Sequence, residues 1–254
     1  MTTNCASNSK STGIWNSSSN RLESVNLENI HANVYSSESQ INHCFVHKID
    51  ILAIAVILSL ISGNSECGGQ LDLVLLLDSS GSVTQTHFEK TLSFVAYLVG
   101  LLGLQNDKTR VGLVTFSTKS RIIFHLDSYN NPYSLAKAIM ATSYTPGKTN
   151  MADALNDMRT KMFQRERGDR PGVPNIGLLI ADGYSSLYSP ETVTEAQRAR
   201  ARGIQMYTIG IGVEDSDELK LIAQSKDRMF QTEDFDSLMN LASKMHQAIC
   251  EGLY

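Results

Sequence analysis

Leu73-Val-Leu-Leu-Leu-Asp78-Ser-Ser-Gly-Ser-Val83 is the stretch on which the fold turns. Its apolar half belongs to a run over 71–77 interrupted only by Asp72, the pattern of a central strand covered on both faces. The polar half reads D-x-S-x-S on a turn that Gly81 loosens. Asp78, Ser80 and Ser82 stand at every second position, so their side-chain oxygens can converge from a single loop. One carboxylate and two hydroxyls form a hard donor set, suited to Mg2+ or a similar ion (Mn2+ or Ca2+) and poorly matched to zinc or copper.

Downstream of this loop, helical and strand patterns alternate. Phe88, Leu92, Val95, Val99 and Leu102 recur at steps of four and three, one face of a helix. Residues 111–116 read as a second strand and 121–124 as a third, paired antiparallel with it across a turn at 117–120. Met151, Leu155, Met158 and Met162 form a further helical stripe, read as core packing rather than a ligand surface. Strand, helix and strand follow at 175–181, 193–201 and 204–209, and Phe235, Leu238, Ala242, Met245 and Ile249 mark a closing helix. Parallel strands need crossover connections, so the alternation implies an α/β, doubly wound, mainly parallel sheet with one antiparallel edge strand and helices on both faces. Ligands of such sheets lie at the carboxyl ends of the strands. Chemistry is therefore expected in the loops after Leu77 and Ala181.

Two further oxygen donors fall in loops on that edge. Thr149 lies in Tyr144-Thr-Pro-Gly-Lys-Thr-Asn150, a Pro-Gly turn leading into the helix that begins near Met151, and Asp182 follows the fourth strand in Ala181-Asp-Gly183. With Thr149 and Asp182 in order after it, the 73–83 stretch resembles the metal-ion-dependent adhesion site of von Willebrand factor A-type (VWA) domains. Modules of matrilins, type VI collagen and integrin inserted domains belong to that family. The resemblance covers the chain from Cys67 to Cys250. It implies a Rossmann-like fold, with Asp78, Ser80, Ser82, Thr149 and Asp182 as the shell of a divalent ion, partly through water. It further implies a binding module rather than an enzyme, whose metal bridges to an acidic side chain of an extracellular protein ligand. The ends of such domains commonly meet opposite the metal, from which a Cys67–Cys250 disulfide is expected. Lys148 stands where the family commonly has Gly, and Ala181 where it often has Thr. Neither change removes a donor, but Lys148 adds a cation near the ligand edge and favours an acidic partner surface.

Enzyme readings fare worse. An Asp ending the first strand of a parallel sheet is also similar to haloacid-dehalogenase phosphatases, where a second Asp two residues on is the general acid. Ser80 occupies that position here, and a hydroxyl cannot supply the acid at neutral pH. No serine sits in a G-x-S-x-G elbow, and Gly210-Ile-Gly212 completes neither G-x-G-x-x-G nor a P-loop. His31, His43 and His47 lie near the N-terminus, while His87, His125 and His246 read as helix-surface or strand-end positions. A net charge of -4 leaves no basic surface for nucleic acid. The basic stretch 161–170 also carries Glu166 and Asp169 and reads as a solvated helix end, its cations facing the negative end of the dipole. Glu214, Asp215 and Asp217 open a helix after Gly212, where capping accounts for them.

At 42% hydrophobic and 19% charged, the 254 residues can bury a full core, which excludes disorder throughout. Residues 1–48, rich in Ser and Asn and without apolar periodicity, are expected to be a disordered polar leader. Asn16-Ser-Ser18 within it reads as a chance glycosylation match. Residues 49–65 follow a signal-peptide order: an uncharged run over 51–61, then the small residues Gly63 and Ser65 suited to a peptidase cut. The run is well short of the roughly 18 residues of a spanning helix. Two readings of its internal position remain, since no Met lies between Met1 and Met140. Either the leader is a mis-assigned upstream exon of a secreted protein, or the segment is an uncleaved single-pass signal-anchor. The domain itself is expected over 66–254. None of the four cysteines forms a C-x-x-C pair, so zinc and thioredoxin-type motifs are unsupported. Cys67 and Cys250, which bracket the domain, read as a staple. The expected function is a secreted adhesion or extracellular matrix module that binds its ligand through a divalent metal. The alternatives are a metal-independent structural module of an extracellular assembly and, last, a metal-dependent phosphatase.

Overall fold

The computed structural model describes residues 67–104, 107–186, 189–213 and 216–253. The leader with Cys5, Cys44 and the Asn16 sequon, the apolar segment 49–65, and Glu214 and Asp215 lie outside the described residues. In chain order the elements are β1 (Leu71–Asp78), α1 (Thr84–Leu102), β2 (Thr109–Phe116), β3 (Ser120–Phe124), α2 (Pro132–Met140) and α3 (Met151–Asp157), which runs on into a π-helical turn (Met158–Met162). Then come β4 (Asn175–Ala181), α4 (Ser189–Ala201), β5 (Gln205–Ile211), α5 (Asp217–Ala223), β6 (Met229–Thr232) and α6 (Ala242–Glu251). The sheet order is β3-β2-β1-β4-β5-β6, with β3 antiparallel to β2 and every other pair parallel. The fold is thus the doubly wound α/β sheet with one antiparallel edge strand that the sequence implies.

All eight residues of β1 are buried, and their side chains alternate between two layers, as the two-residue period of a strand requires. Leu71, Leu73, Leu75 and Leu77 share a core with Phe88, Leu92 and Val95 of α1, Leu135 and Ile139 of α2, and Met245 and Ile249 of α6. Val74 and Leu76 face Leu155 of α3, Ala196 and Ala199 of α4, and Leu219 and Ile222 of α5. The winding passes from β1 to β2 on one side and later to β4 on the other. A crevice opens at such a reversal, at the carboxyl ends of the strands.

The methionine stripe is core, and two glycines explain how it seats. Val74 is flanked in register by Gly112 on β2 and Gly177 on β4, which leaves a trough across three strands. A Cβ on Gly112 would lie 2.5 Å from Met162 Cε, and one on Gly177 would lie 2.5 Å from Met158 Sδ and 2.9 Å from Met206 Sδ. Gly177→Ala therefore overpacks a closed interior and is expected to cost about 1–3 kcal/mol. Urea unfolding should show a lower midpoint at unchanged slope. An unchanged midpoint would mean that the methionines yield freely.

Three expectations need correction. The closing helix does not include Phe235: a 3-10 turn (Leu238–Leu241) precedes α6. The sheet gains a sixth strand, β6, whose four residues are too few to register as an alternating pattern. Nor is 161–170 a solvated helix end throughout. Arg170 turns inward to Asp72, donating from Nε to Oδ1 (2.8 Å) and from its backbone N–H to Oδ2 (2.8 Å). Its Nη2 donates to the carbonyls of Leu71 (2.7 Å) and Lys108 (3.1 Å), and Nη1 to that of Asp107. Asp72 has no exposed side-chain surface, and Arg170 is 11% exposed. The acid that interrupts the apolar run is thus the anchor of the sheet's amino edge.

Candidate metal centre

Asp78 closes β1, and the loop behind it is more enclosed than its polar sequence suggests. Asp78, Ser79 and Ser80 are 3%, 0% and 1% exposed; only the tip, Gly81 and Ser82, is open to solvent. Asp78 Oδ1 accepts the Ser80 N–H at 2.7 Å. Its other oxygen, Oδ2, is buried and has no hydrogen-bond partner among the described residues. The Ser80 and Ser82 hydroxyls meet at 3.0 Å, and Ser82 Oγ donates to Asp182 Oδ1 at 2.9 Å. Asp182 directly follows β4, the neighbour of β1, so the pairing of two central strands brings residues 100 positions apart into one cluster.

Thr149 enters from the loop before α3, which is stitched to both of the others. Ser79 Oγ donates to the Thr145 carbonyl and accepts the Thr145 N–H, each at 2.9 Å. The Gly81 N–H donates to the Gly147 carbonyl at 2.9 Å, and the Tyr144 hydroxyl donates to the Ser80 carbonyl at 2.9 Å. On the other flank, the Thr149 N–H donates to Ser186 Oγ (2.8 Å) and its carbonyl accepts the Ser186 N–H (2.9 Å). Thr149 is 8% exposed. Asn150 caps α3 by accepting the Asp153 N–H, which fixes the residue beside Thr149. Lys148 is exposed on the same loop, held through its N–H by Thr118 Oγ1 at 3.0 Å. Cys67 and Cys250 lie at the opposite end of β1, joined in a disulfide with Cα atoms 4.9 Å apart.

Sequence reasoning passed over Ser79, Tyr144, Thr145, Ser186 and His87. Ser79 is an unspecified position of D-x-S-x-S, and its partners lie 66 residues away, beyond any local pattern. His87, half-buried on α1, stacks on Phe235 with ring centroids 4.3 Å apart. Burial raises the Asp182 carboxyl above its ordinary value; the Ser82 hydrogen bond and, more weakly, the neighbouring His87 oppose that rise without cancelling it. Burial is also the main cause at Asp78, whose carboxyl is pushed up to about 7 against the pull of the Ser80 N–H and hydroxyl. The Asp182 charge raises it further.

Buried acceptors in folded proteins are almost always paired. Asp78 Oδ2 is an exception, and the side chains of Ser80, Ser82 and Asp182 beside it are joined through hydroxyl and carboxylate oxygens. A hard divalent cation fits that donor set, and its charge would offset both carboxylates.

The chain matches the family described as von Willebrand factor type A domain over residues 72–244. It is 33% identical to Matrilin-1 of Gallus gallus across 74% of this chain, but spans only 38% of that relative's length. It is 28% identical to the Collagen alpha-4(VI) chain of Mus musculus over 76% of this chain and 8% of the relative. Among solved structures it resembles proximal thread matrix protein 1 from the mussel byssus with a zinc-occupied MIDAS motif. There the TM-score is 0.68 and the identity 26%, covering 73% of this chain and 49% of that one. Sheet order, carboxyl-edge loops and sequence agree, and the chain belongs to the von Willebrand factor type A domain family.

Proposed function

We propose that this domain is an extracellular matrix or adhesion module that binds a protein ligand through a divalent cation, Mg2+ with Mn2+ or Ca2+ as substitutes. Asp78, Ser80, Ser82, Thr149 and Asp182 would hold the ion, some of them through water. The observation that carries this reading is the buried, unpartnered Asp78 Oδ2 at the carboxyl edge of the central strand. The bound cation supplies an electrophilic coordination position for an Asp or Glu carboxylate of the partner. The chain's own residues do the rest. Ser79, Thr145 and Tyr144 lock the loops, which limits what ordering costs on binding. Ser82 orients Asp182, and Lys148 lends positive charge to the rim for an acidic partner surface. The matrilin, collagen and byssal matrix relatives support a binding rather than catalytic role in a secreted, matrix setting. Among the described residues no helix is long and apolar enough to cross a membrane.

Calorimetry with Mg2+ and Mn2+ tests the reading, and its pH dependence is a prediction in itself. The cation binds the ionised Asp78, while burial holds the metal-free carboxyl at about 7. Protons therefore compete below that pH, and affinity should fall by roughly tenfold per pH unit once the pH is well under 7. It should level off above neutrality, and uptake at neutral pH should release protons into the buffer. Absence of binding heat at every pH would leave a metal-independent structural module in its place.

A further inference from the structure

A second group of metal-ligating side chains lies at the other end of the sheet. Cys67 immediately precedes β1, while His246 and Cys250 stand four residues apart on α6 and so share one face of that helix. The His246 Nε2 atom is 3.4 Å from Cys250 Sγ. The ligand atoms of Cys67, His246 and Cys250 all lie within 4.8 Å of one another, with Cys67 buried and the other two half-buried. The sulfurs are bonded as a disulfide, so the cluster cannot take a metal as it stands.

We propose that reduction of the Cys67–Cys250 disulfide converts this corner into a Zn2+ site made of two thiolates and the His246 imidazole, with water in the fourth position. The steps balance. Two molecules of a thiol reductant give two cysteine thiols and the reductant's own disulfide, and Zn2+ then displaces both thiol protons to solvent without changing its own oxidation state. Thiolate and imidazole are the donors that zinc prefers, and Mg2+ has little affinity for them. A tetrahedral site with Zn–S near 2.3 Å and Zn–N near 2.0–2.1 Å has S···N edges of about 3.6 Å and an S···S edge of about 3.8 Å. The 3.4 Å separation of His246 and Cys250 already matches the first edge. The sulfurs must part to about 3.8 Å, and Cys67 stands ahead of β1 in a segment, 67–70, that belongs to no helix or strand. Zinc then keeps the start of β1 pinned to the last helix, as the disulfide does. The site is distinct from the oxygen cluster at Asp78, which lies at the far end of the same strand.

Cobalt reads the two centres separately, because only sulfur ligation gives a thiolate-to-metal charge-transfer band. The full chain carrying Cys5→Ser, Cys44→Ser and Asp78→Ala is reduced anaerobically, freed of reductant and titrated with Co2+. A charge-transfer band saturating at one equivalent and displaced by Zn2+ is expected. Adding Cys67→Ser should abolish the band, and adding His246→Ala should weaken the affinity on the order of tenfold or more. Circular dichroism follows folding throughout. If the reduced chain unfolds, equimolar Zn2+ should restore the native spectrum. A missing band, a band indifferent to His246→Ala, or an unfolded chain that zinc does not restore would overturn the proposal.

Discussion

Asp78→Ala is expected to abolish Mg2+ binding and metal-dependent capture of a protein partner, while the metal-free domain unfolds no more readily than wild type. The carboxylate is enclosed, receives one hydrogen bond from the Ser80 N–H, and leaves its second oxygen unpaired. Removing it strands the Ser80 N–H, a cost of roughly 1–3 kcal/mol. The same change relieves a buried negative charge, and the two effects oppose each other. The sign with pH follows from the raised carboxyl. Because the folded-state value of about 7 exceeds the unfolded one, Asp78 withdraws stability from the metal-free domain as pH rises through 7. Asp78→Ala should therefore compare best with metal-free wild type above neutrality. Metal reverses the comparison: at a hundredfold excess over Kd, wild type gains about 2.7 kcal/mol, and the variant gains nothing. Thermal unfolding of both proteins with saturating Mg2+ and with chelator measures this directly. Equal stabilisation of both by Mg2+ would move the ion to another site, and partner capture that survives chelation would remove it from the interface.

Arg170→Ala should have the largest effect on stability, about 3–5 kcal/mol, because it leaves a buried carboxylate without its counter-charge. That is a large fraction of the roughly 5–15 kcal/mol by which domains are stable. Asp72 is fully buried, and its principal bonds run to the Arg170 side chain and backbone. Burial already raises its carboxyl above the usual range in spite of Arg170. Without the guanidinium the carboxyl rises further, so the variant takes up a proton more readily than wild type. The deficit should accordingly shrink as pH falls from neutral toward about 5. Urea unfolding at the two pH values decides it. A loss under 1 kcal/mol would make the pair incidental, and a deficit independent of pH would assign the damage to the carbonyls of Leu71 and Lys108 that Arg170 also holds.

Much of the fold and part of the site could be read from the residues alone, for a physical reason: the signals involved are local. A strand buried on both faces must be apolar at nearly every position, which singled out 71–77. A helix packed on one face must repeat every three to four residues, which marked α1. The oxygens of Asp78, Ser80 and Ser82 converge because they share one short loop, so their chemistry was legible at once. Loops on the carboxyl edge marked Thr149 and Asp182 as further donors, the bracketing cysteines read as a staple, and the resemblance to a known family joined the five oxygen residues into one shell. Tertiary structure alone decided what depends on meeting across the chain. It closed the Asp78 loop over a carboxyl oxygen, since the Ser79–Thr145 contacts span 66 residues. It paired Asp72 with Arg170 across 98 residues, turning an interruption in an apolar run into an anchor. It also brought Cys67 to the helix face that His246 and Cys250 share, so that three ligand atoms lie within 4.8 Å of one another. Local propensity and periodicity act over a few residues, and chain packing alone brings distant polar groups within hydrogen-bonding range.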